Sequence, residues 1–553
     1  MSRSVKTDPS VLSVMLAAAA LSFMMILITG SINVAGAAFF APAISVYVIC
    51  FAVFTAGLKP TIVRTAAVRL EHGHGRDALL YLRYSFRISA AISLAAAVIL
   101  AVVSYPVCSI LSLQSNAYLA FLMITPSVPA LCMISILSAY FECAGLKLIG
   151  ITANIALGIL GFILALIAGT RVRVYGDRIA DLLRSESYGS LYGAAGAAAG
   201  LSAASLIVML ILLVVYFMLR GTITENILKE SIQMSADNRR ELIRLSQTAP
   251  LYDVLYYVLL LIPIPAALLL LNVFTKAAGA DTDTAVRTAG ILFGRIFPVL
   301  FIAGSICVSL FSGMLTGIRN AADREDRRTI PQRSALLMRI MVYLLIPAAA
   351  YVFSAAQPLT ALPGQAVETA GAVIDSALLL RILSAGLIFH VLSFAVSSTG
   401  LRSTRPGMFL LPPGCALIIQ VLVSFAGRGK GDGLSAWICA AMAVSGFCSF
   451  IIACIVWRIA YGRSFPARTA PAVKIILTGK VVVCALAGGA VSLIISHFMY
   501  DSAGAVITIA VSLILFLLVF NIAAVITGAA DIKIMKRIPG GMAVIALAAR
   551  FSN

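Results

Sequence analysis

Leu434-Ser-Ala-Trp437-Ile-Cys-Ala-Ala-Met-Ala-Val-Ser-Gly446-Phe-Cys-Ser-Phe-Ile-Ile-Ala-Cys-Ile-Val-Trp457 runs for 24 residues without a charge and closes on Arg458. An apolar helix of about 20 residues, rising ~1.5 Å per residue, crosses the ~30 Å hydrocarbon core of a bilayer. The stretch therefore reads as a membrane span. Its two Trp lie 20 residues apart, about 30 Å along a helix axis, which predicts one at each interface, where tryptophan collects. The rest of the chain has the same character. Over 553 residues it is 61% hydrophobic and 11% charged, with a mean hydropathy of +1.04. A string of soluble domains and a disordered chain are both excluded by those values. The 41 Gly and 20 Pro are spread through the apolar tracts, which suits packed spanning helices, where neighbours satisfy the groups that Pro frees.

Working outward from that span, runs of spanning length bounded by charge or turn residues number fourteen. They cover residues 11–30, 33–57, 84–111, 117–141, 148–169, 191–219, 248–273, 288–316, 336–356, 372–398, 407–427, 434–457, 475–498 and 503–529. Arg3 and Lys6 ahead of the run from Val11 resemble a signal-peptide leader, but the run is of spanning length with no clear cleavage site, so an uncleaved first span is expected. The net charge of +19 invites a nucleic-acid reading, yet the Lys and Arg are dealt out between spans. With the N-terminus inside, 31 of the 41 fall on cytoplasmic segments, as positive-inside orientation requires. A multi-pass protein of the inner (plasma) membrane with both termini cytoplasmic is expected, with no nucleic-acid partner. One outer segment, residues 171–190, departs from the rule with Arg171, Arg173, Arg178 and Arg184 against Asp177, Asp181 and Glu186. It is expected to be an interfacial amphipathic turn with Ile179, Leu182 and Leu183 on one face.

Most of the ten Cys sit inside apolar tracts with no CxxC pair, and of the four His only His72 and His74 are close neighbours. The cysteines read as small hydrophobes; no metal site and no cofactor are expected. No phosphate-binding glycine loop and no nucleophilic constellation is present, so the chain is not expected to be an enzyme. Spans one to six are followed by a polar linker and six further spans with the same loop rhythm. That predicts an all-α polytopic protein with two pseudo-symmetric six-helix bundles and an extra helix pair. The expected divisions are a tail at 1–10, a bundle at 11–219, a linker at 220–247, a bundle at 248–460, the pair with its preceding loop at 461–529, and a tail at 530–553. Like-oriented halves imply a cavity between them that opens to either side, which is transporter architecture. The small-residue runs at Gly193–Gly200 and Ala440–Gly446 read as helix packing.

The segment Phe54-Thr-Ala-Gly57-Leu-Lys59-Pro60-Thr-Ile-Val-Arg64, with a charged loop and an Arg-started third span after it, resembles helices two and three of the multidrug/oligosaccharidyl-lipid/polysaccharide (MOP) flippase superfamily. Gly294-Arg295-Ile-Phe-Pro298 through Arg319 resembles its eighth helix. Fourteen spans are similar to the polysaccharide and lipid II flippase branch, whose extra pair implies a groove for a lipid tail. The resemblance also implies a cationic cavity with an eighth-helix arginine, for which Arg295 is the nearest counterpart. The first span lacks the cations that lipid II flippases carry there.

An ionisable side chain deep in a span costs at least ~2.5–3.5 kcal/mol and faces a cavity or a partner. Arg295 and Arg381 lie about 12–14 Å from the outer ends of their spans at ~1.5 Å per residue. As a pair they are suited to a diphosphate; the alternative for each is a helix–helix contact. Lys59, Arg64 and Arg87, with Arg83, crowd the cytoplasmic mouth of spans two and three, where they are placed either to receive an anionic headgroup or simply to orient the chain. Asp253, beside Tyr252, Tyr256 and Tyr257, and Glu142 are candidate H+ or Na+ coupling sites, and His390 a candidate proton relay; salt bridges and core packing are the alternatives. The resulting expectation is a monomeric transporter in the lipid bilayer that flips or exports an anionic lipid-linked oligosaccharide or envelope polysaccharide precursor by alternating access. The rivals are a cation-coupled multidrug antiporter and a non-transporting membrane scaffold.

Overall fold

The structure, a computed structural model, describes residues 8–111, 115–184, 187–228, 239–278, 282–323, 329–362, 375–401, 405–427, 433–461 and 471–529. Glu186, residues 229–238 of the expected linker, the loop before the terminal pair and both expected tails, save for residues 8–10, lie outside the described residues. Among the described residues every element is helical. Twelve helical stretches are long and apolar enough to cross a membrane. Two of them, Pro9–Glu71 with 63 residues and Thr478–Ile526 with 49, each carry a bend, at Asn33 (φ 66°) and Gly504 (φ 75°). Glycine adopts positive φ freely, and asparagine is among the few other residues that tolerate it. Each arm of the two bent stretches is of spanning length, so the twelve resolve into the fourteen spans expected from hydropathy.

The chain packs into two compact units, Leu16–Gly294, and Arg295–Asn553 together with the residues up to Met15. The division falls inside the eighth span and not in the linker, so packing does not follow the six-span rhythm of the sequence. In the first unit α1 (Pro9–Ala52) passes through a π-helical turn at Val53–Leu58 into α2 (Lys59–Glu71). There follow α3 (Gly75–Val102), α4 (Ser104–Leu111), α5 (Tyr118–Ile124) and α6 (Ser127–Cys143). Pro126 separates the last two, and Pro263 opens α11 (Pro263–Ala278) after α10 (Leu251–Leu261). Pro126 is the N-cap of α6 and Pro263 the first residue of α11, so each stands where one helical segment gives way to the next. The amphipathic α9 (Arg239–Thr248) precedes α10, and α12 (Thr282–Ile291) ends the unit at a second π-helical turn, Leu292–Ile296. The most apolar stretch of α5–α6 is 67% buried, whereas that of α3 is 17% buried.

The amphipathic turn expected at 171–190 is corrected. Residues 171–183 continue α7 (Lys147–Leu183), Arg184 caps it with φ 53°, and α8 (Ser187–Leu228) begins at once. The two helices have 37 and 42 residues, about 55 and 63 Å at ~1.5 Å per residue, both well beyond the ~30 Å core. What holds the charged end helical is backbone contact. A Cβ on Gly200 would meet the Leu164 carbonyl oxygen at 2.4 Å, and one on Gly196 the Ala168 carbonyl oxygen at 2.6 Å. Gly176 continues the contact outward, where a Cβ would meet the Tyr188 carbonyl oxygen at 2.8 Å. Lipid supplies no hydrophobic drive between helices, so such close approach is the main source of their association.

The second unit contains α13 (Phe297–Asp323), α14 (Thr329–Ser354), α15 (Ala356–Thr360), α16 (Ser376–Gly400), α17 (Leu411–Ala426), α18 (Leu434–Tyr461) and the bent α19 (Pro471–Ile526). The terminal pair, α19, is held to α14 by a core that includes Tyr343, Cys484, Phe516 and Phe520. The Tyr351 hydroxyl adds a hydrogen bond to the Ile509 carbonyl at 3.0 Å. Trp457 is 1% exposed and donates to Thr399 Oγ1 at 3.3 Å. It is therefore a packing residue between α18 and α16, and not the interfacial anchor that its spacing predicts.

Candidate functional site

Apart from His390 and the exposed arginines, the charged side chains singled out in the sequence fall in two regions, one in each unit. In the first unit the organiser is the π-helical turn Val53–Leu58. A π turn carries an extra residue and a loosened hydrogen-bond ladder, and such turns are frequent at functional sites. Lys59 follows it directly, with its ammonium 3.2 Å from Glu142 Oε2 and side-chain exposures of 7% for Lys59 and 16% for Glu142. Gly150 makes room for that ammonium, since a Cβ there would stand 3.5 Å from Lys59 Nζ and 3.2 Å from Ser138 Cβ. A candidate headgroup cation and a candidate coupling carboxylate thus neutralise one another.

Two residues further on, the Thr61 hydroxyl reaches both the Gly57 carbonyl, at 3.1 Å, and Asp253 Oδ2. The hydroxyl has one proton to give. When Asp253 is ionised, that proton is drawn to the carboxylate. When Asp253 is protonated, the carboxyl donates to Thr61, whose own proton turns to Gly57. The one hydroxyl proton thus links the carboxylate to the backbone of the π turn. Gly57 allows the approach, because a Cβ there would meet Tyr257 Cδ2 at 3.1 Å and the Asp253 carbonyl oxygen at 3.4 Å. Tyr256 and Tyr257 are buried and meet edge to face at 5.3 Å. Arg64 and Arg87 lie exposed on α2 and α3.

In the second unit Arg295 sits in the π-helical turn Leu292–Ile296 and is 4% exposed. Its Nη1 donates to the Thr360 carbonyl at 2.8 Å, while its Nε is buried without a partner among the described residues. Tyr500, beside the Gly504 bend, is near enough to act on the guanidinium electrostatically. Arg381 lies against α14: its guanidinium is 5.9 Å from the centre of the Phe353 ring, and its Nε is likewise buried without a partner among the described residues. A guanidinium has five donors in a fixed fork; here two forks each keep a buried Nε unspent, one beside α15 and one beside α14. The helix–helix contact and the anion clamp are therefore not exclusive, for one donor of Arg295 is spent on Thr360 and Nε remains.

His390 is apart from both groups. Its Nε2 lies 3.1 Å from the Met442 carbonyl, and the ring fits against Gly446, where a Cβ would stand 2.8 Å away. The sequence reading missed Thr61, and also Asp8 and Asp77. Asp8 caps α1 through the Ser10 amide at 3.0 Å and accepts from Thr316 Oγ1 at 2.8 Å. Asp77 is wholly buried in the first turn of α3. Their signals were an acid before Pro9 and an acid at a helix start; Thr61 had none, since its partner lies 192 residues away.

No family model matches the chain, and no curated protein matches it. Solved structures do. The chain is similar to the lipid II flippase MurJ in an inward closed conformation, with a TM-score of 0.60 at 12% identity over 92% of this chain and 96% of that one. It is similar to the eukaryotic MATE transporter AtDTX14, with a TM-score of 0.58 at 14% identity over 82% of this chain and 97% of that one. An inward-facing multidrug resistance MATE family transporter of the MOP superfamily gives 0.56 at 14% identity over 84% of this chain and 97% of that one. The chain has the all-α polytopic fold that these solved structures share.

Proposed function

We propose that the chain is a membrane transporter that flips or exports an anionic lipid-linked oligosaccharide, or a related envelope polysaccharide precursor, by exposing it alternately to the two sides of the inner membrane. The observation that carries this reading is Arg295, a cation 4% exposed in a spanning helix, with Nε unspent and no carboxylate within ion-pair distance among the described residues. A buried guanidinium so placed is costly unless an anion completes it. A diphosphate supplies the planar oxygen pairs that the fork matches, with Arg381 as the second arm. Arg64 and Arg87 receive the headgroup electrostatically from the cytoplasmic leaflet. Lys59 contributes once its bond to Glu142 is exchanged. Asp253, through the Thr61 proton, is the favoured site for an H+ or Na+ ion that drives the cycle, with Glu142 and His390 behind it.

The multidrug antiporter is the second reading. It is favoured by the likeness to MATE transporters and by the Asp253–Thr61 contact at a π turn. The two separate in proteoliposomes containing a fluorescent polyprenyl-diphosphate sugar. The parent chain is expected to flip it well above the protein-free rate and Arg295→Ala to lose most of that rate. Equal, protein-free rates for both, with export of a cationic dye, refute the flippase reading in favour of the antiporter.

A further inference from the structure

The short helix α9, ahead of the seventh span, is not needed for the transport reading and has a surface of its own. Its sequence, Arg-Arg-Glu-Leu-Ile-Arg-Leu-Ser-Gln-Thr, divides sharply by face. Leu242 and Ser246, one turn apart, are 0% and 3% exposed and face α3, against which α9 packs. Arg239, Arg240 and Arg244 are exposed. The guanidinium of Arg239 lies 5.8 Å from the centre of the Tyr84 ring, which fixes the start of α9 beside the exposed Arg83 and Arg87 of α3. Among the described residues of α9, Arg239, Arg240 and Arg244 stand against one carboxylate, Glu241. Arg240, Glu241, Arg244, Leu245 and Thr248 line a cavity of about 570 Å³, within the size range of small-ligand sites. Immediately beyond Thr248 the chain exposes Leu251 (56%), Tyr252 (44%) and Leu255 (40%) at the entry of the span.

We infer that this cavity binds the headgroup of an anionic phospholipid from the leaflet facing α9, with the acyl chains laid along Leu251, Tyr252 and Leu255. Three observations select a lipid over a dissolved anion. The cavity-lining Thr248 is followed three residues on by the first of the exposed apolar and aromatic side chains. That surface is the start of a spanning helix, where bilayer lipid is the local solvent. The arginines stand on an amphipathic helix of the type that lies in the headgroup layer. Such a lipid ties α9 to the entry of the seventh span, so the membrane's anionic lipid content sets how firmly that entry is held.

The test uses the full chain in detergent micelles, with phosphatidylglycerol as the anionic probe and phosphatidylcholine as the neutral one, and bound lipid counted by native mass spectrometry. The parent is expected to retain phosphatidylglycerol preferentially. Each basic residue near an anionic headgroup contributes about fivefold, so Arg240→Gln with Arg244→Gln is expected to weaken retention about 25-fold. Arg240→Lys with Arg244→Lys keeps the charge and is expected to stay within about twofold of the parent. Glu241→Gln removes the carboxylate among the described lining residues and is expected to tighten retention several-fold, a gain that misfolding does not produce. Equal retention of the two lipids, parent-like binding by the double glutamine variant, or displacement by free glycerol phosphate at matching concentration would each overturn the assignment, the last by assigning a dissolved-anion site.

Discussion

Glu142→Gln leaves the Lys59 ammonium buried beside a neutral amide. The ion pair is closed at 3.2 Å and its side chains are only 7% and 16% exposed, so solvent screens it little, and breaking such a pair by removing one partner costs about 3–5 kcal/mol. Replacing both partners with apolar side chains of similar size removes the desolvation penalty together with the attraction. Lys59→Met with Glu142→Leu is therefore expected to fall within about 1 kcal/mol of the parent, or to exceed it in stability. The assay is unfolding in mixed micelles as the mole fraction of dodecyl sulfate rises, followed by far-ultraviolet circular dichroism, for the parent, both single variants and the double variant. A coupling of about 2 kcal/mol or more between the two positions is expected from the full cycle. Single variants that unfold with the parent, or a double variant as unstable as Glu142→Gln, would refute the idea that the pair is closed and desolvated. If the double variant is stable yet inactive in transport, the pair has a role in the cycle beyond holding α2 to α6.

Gly200→Val places a branched side chain where a Cβ already meets the Leu164 carbonyl oxygen at 2.4 Å; α7 and α8 are expected to separate, with most folded protein lost from size-exclusion profiles, whereas Gly221→Val in the open part of α8 leaves them unchanged. Thr61→Val removes the donor to Asp253, a bond to a charged group of about 1.5–3 kcal/mol, and is expected to change the pH profile of transport while leaving substrate retention intact; an unaltered profile removes Asp253 from the coupling role. Asp8→Ala deletes both the cap of α1 and the bond to Thr316, and is expected to cost about 1–2 kcal/mol in the same unfolding assay.

Hydropathy made the spans legible because a bilayer sets a minimum apolar length for every crossing helix, and the bends at Asn33 and Gly504 fall within two residues of the breaks between apolar runs. That Arg295 lies within a spanning helix was legible for the same reason. What it touches was not. The pairs Lys59–Glu142, Thr61–Asp253 and Arg295–Thr360 join positions far apart in the chain, and side-chain pairing across helices leaves no periodicity to detect. Residues 171–183 misled for a physical reason: their charges are those of a loop at an interface, while the glycines that keep them helical act through α8. The small-residue run at Gly193–Gly200 was read as packing, but which helix it packed on was invisible. Trp437 and Trp457 have the spacing of interfacial anchors, and burial of Trp457 depends on a partner, Thr399, that spacing does not reveal.

The long α7–α8 hairpin has a practical corollary. Because its helices are interlocked at the backbone and continue unbroken out of the bilayer, its far end is a stiff mast rooted in the first unit. An antibody fragment gripping the tip near Tyr175 and Leu182, both well exposed, would ride with that unit as one body. It would serve as a fiducial for imaging single particles and, carrying a dye, as a pointer whose swing reports each turn of the cycle.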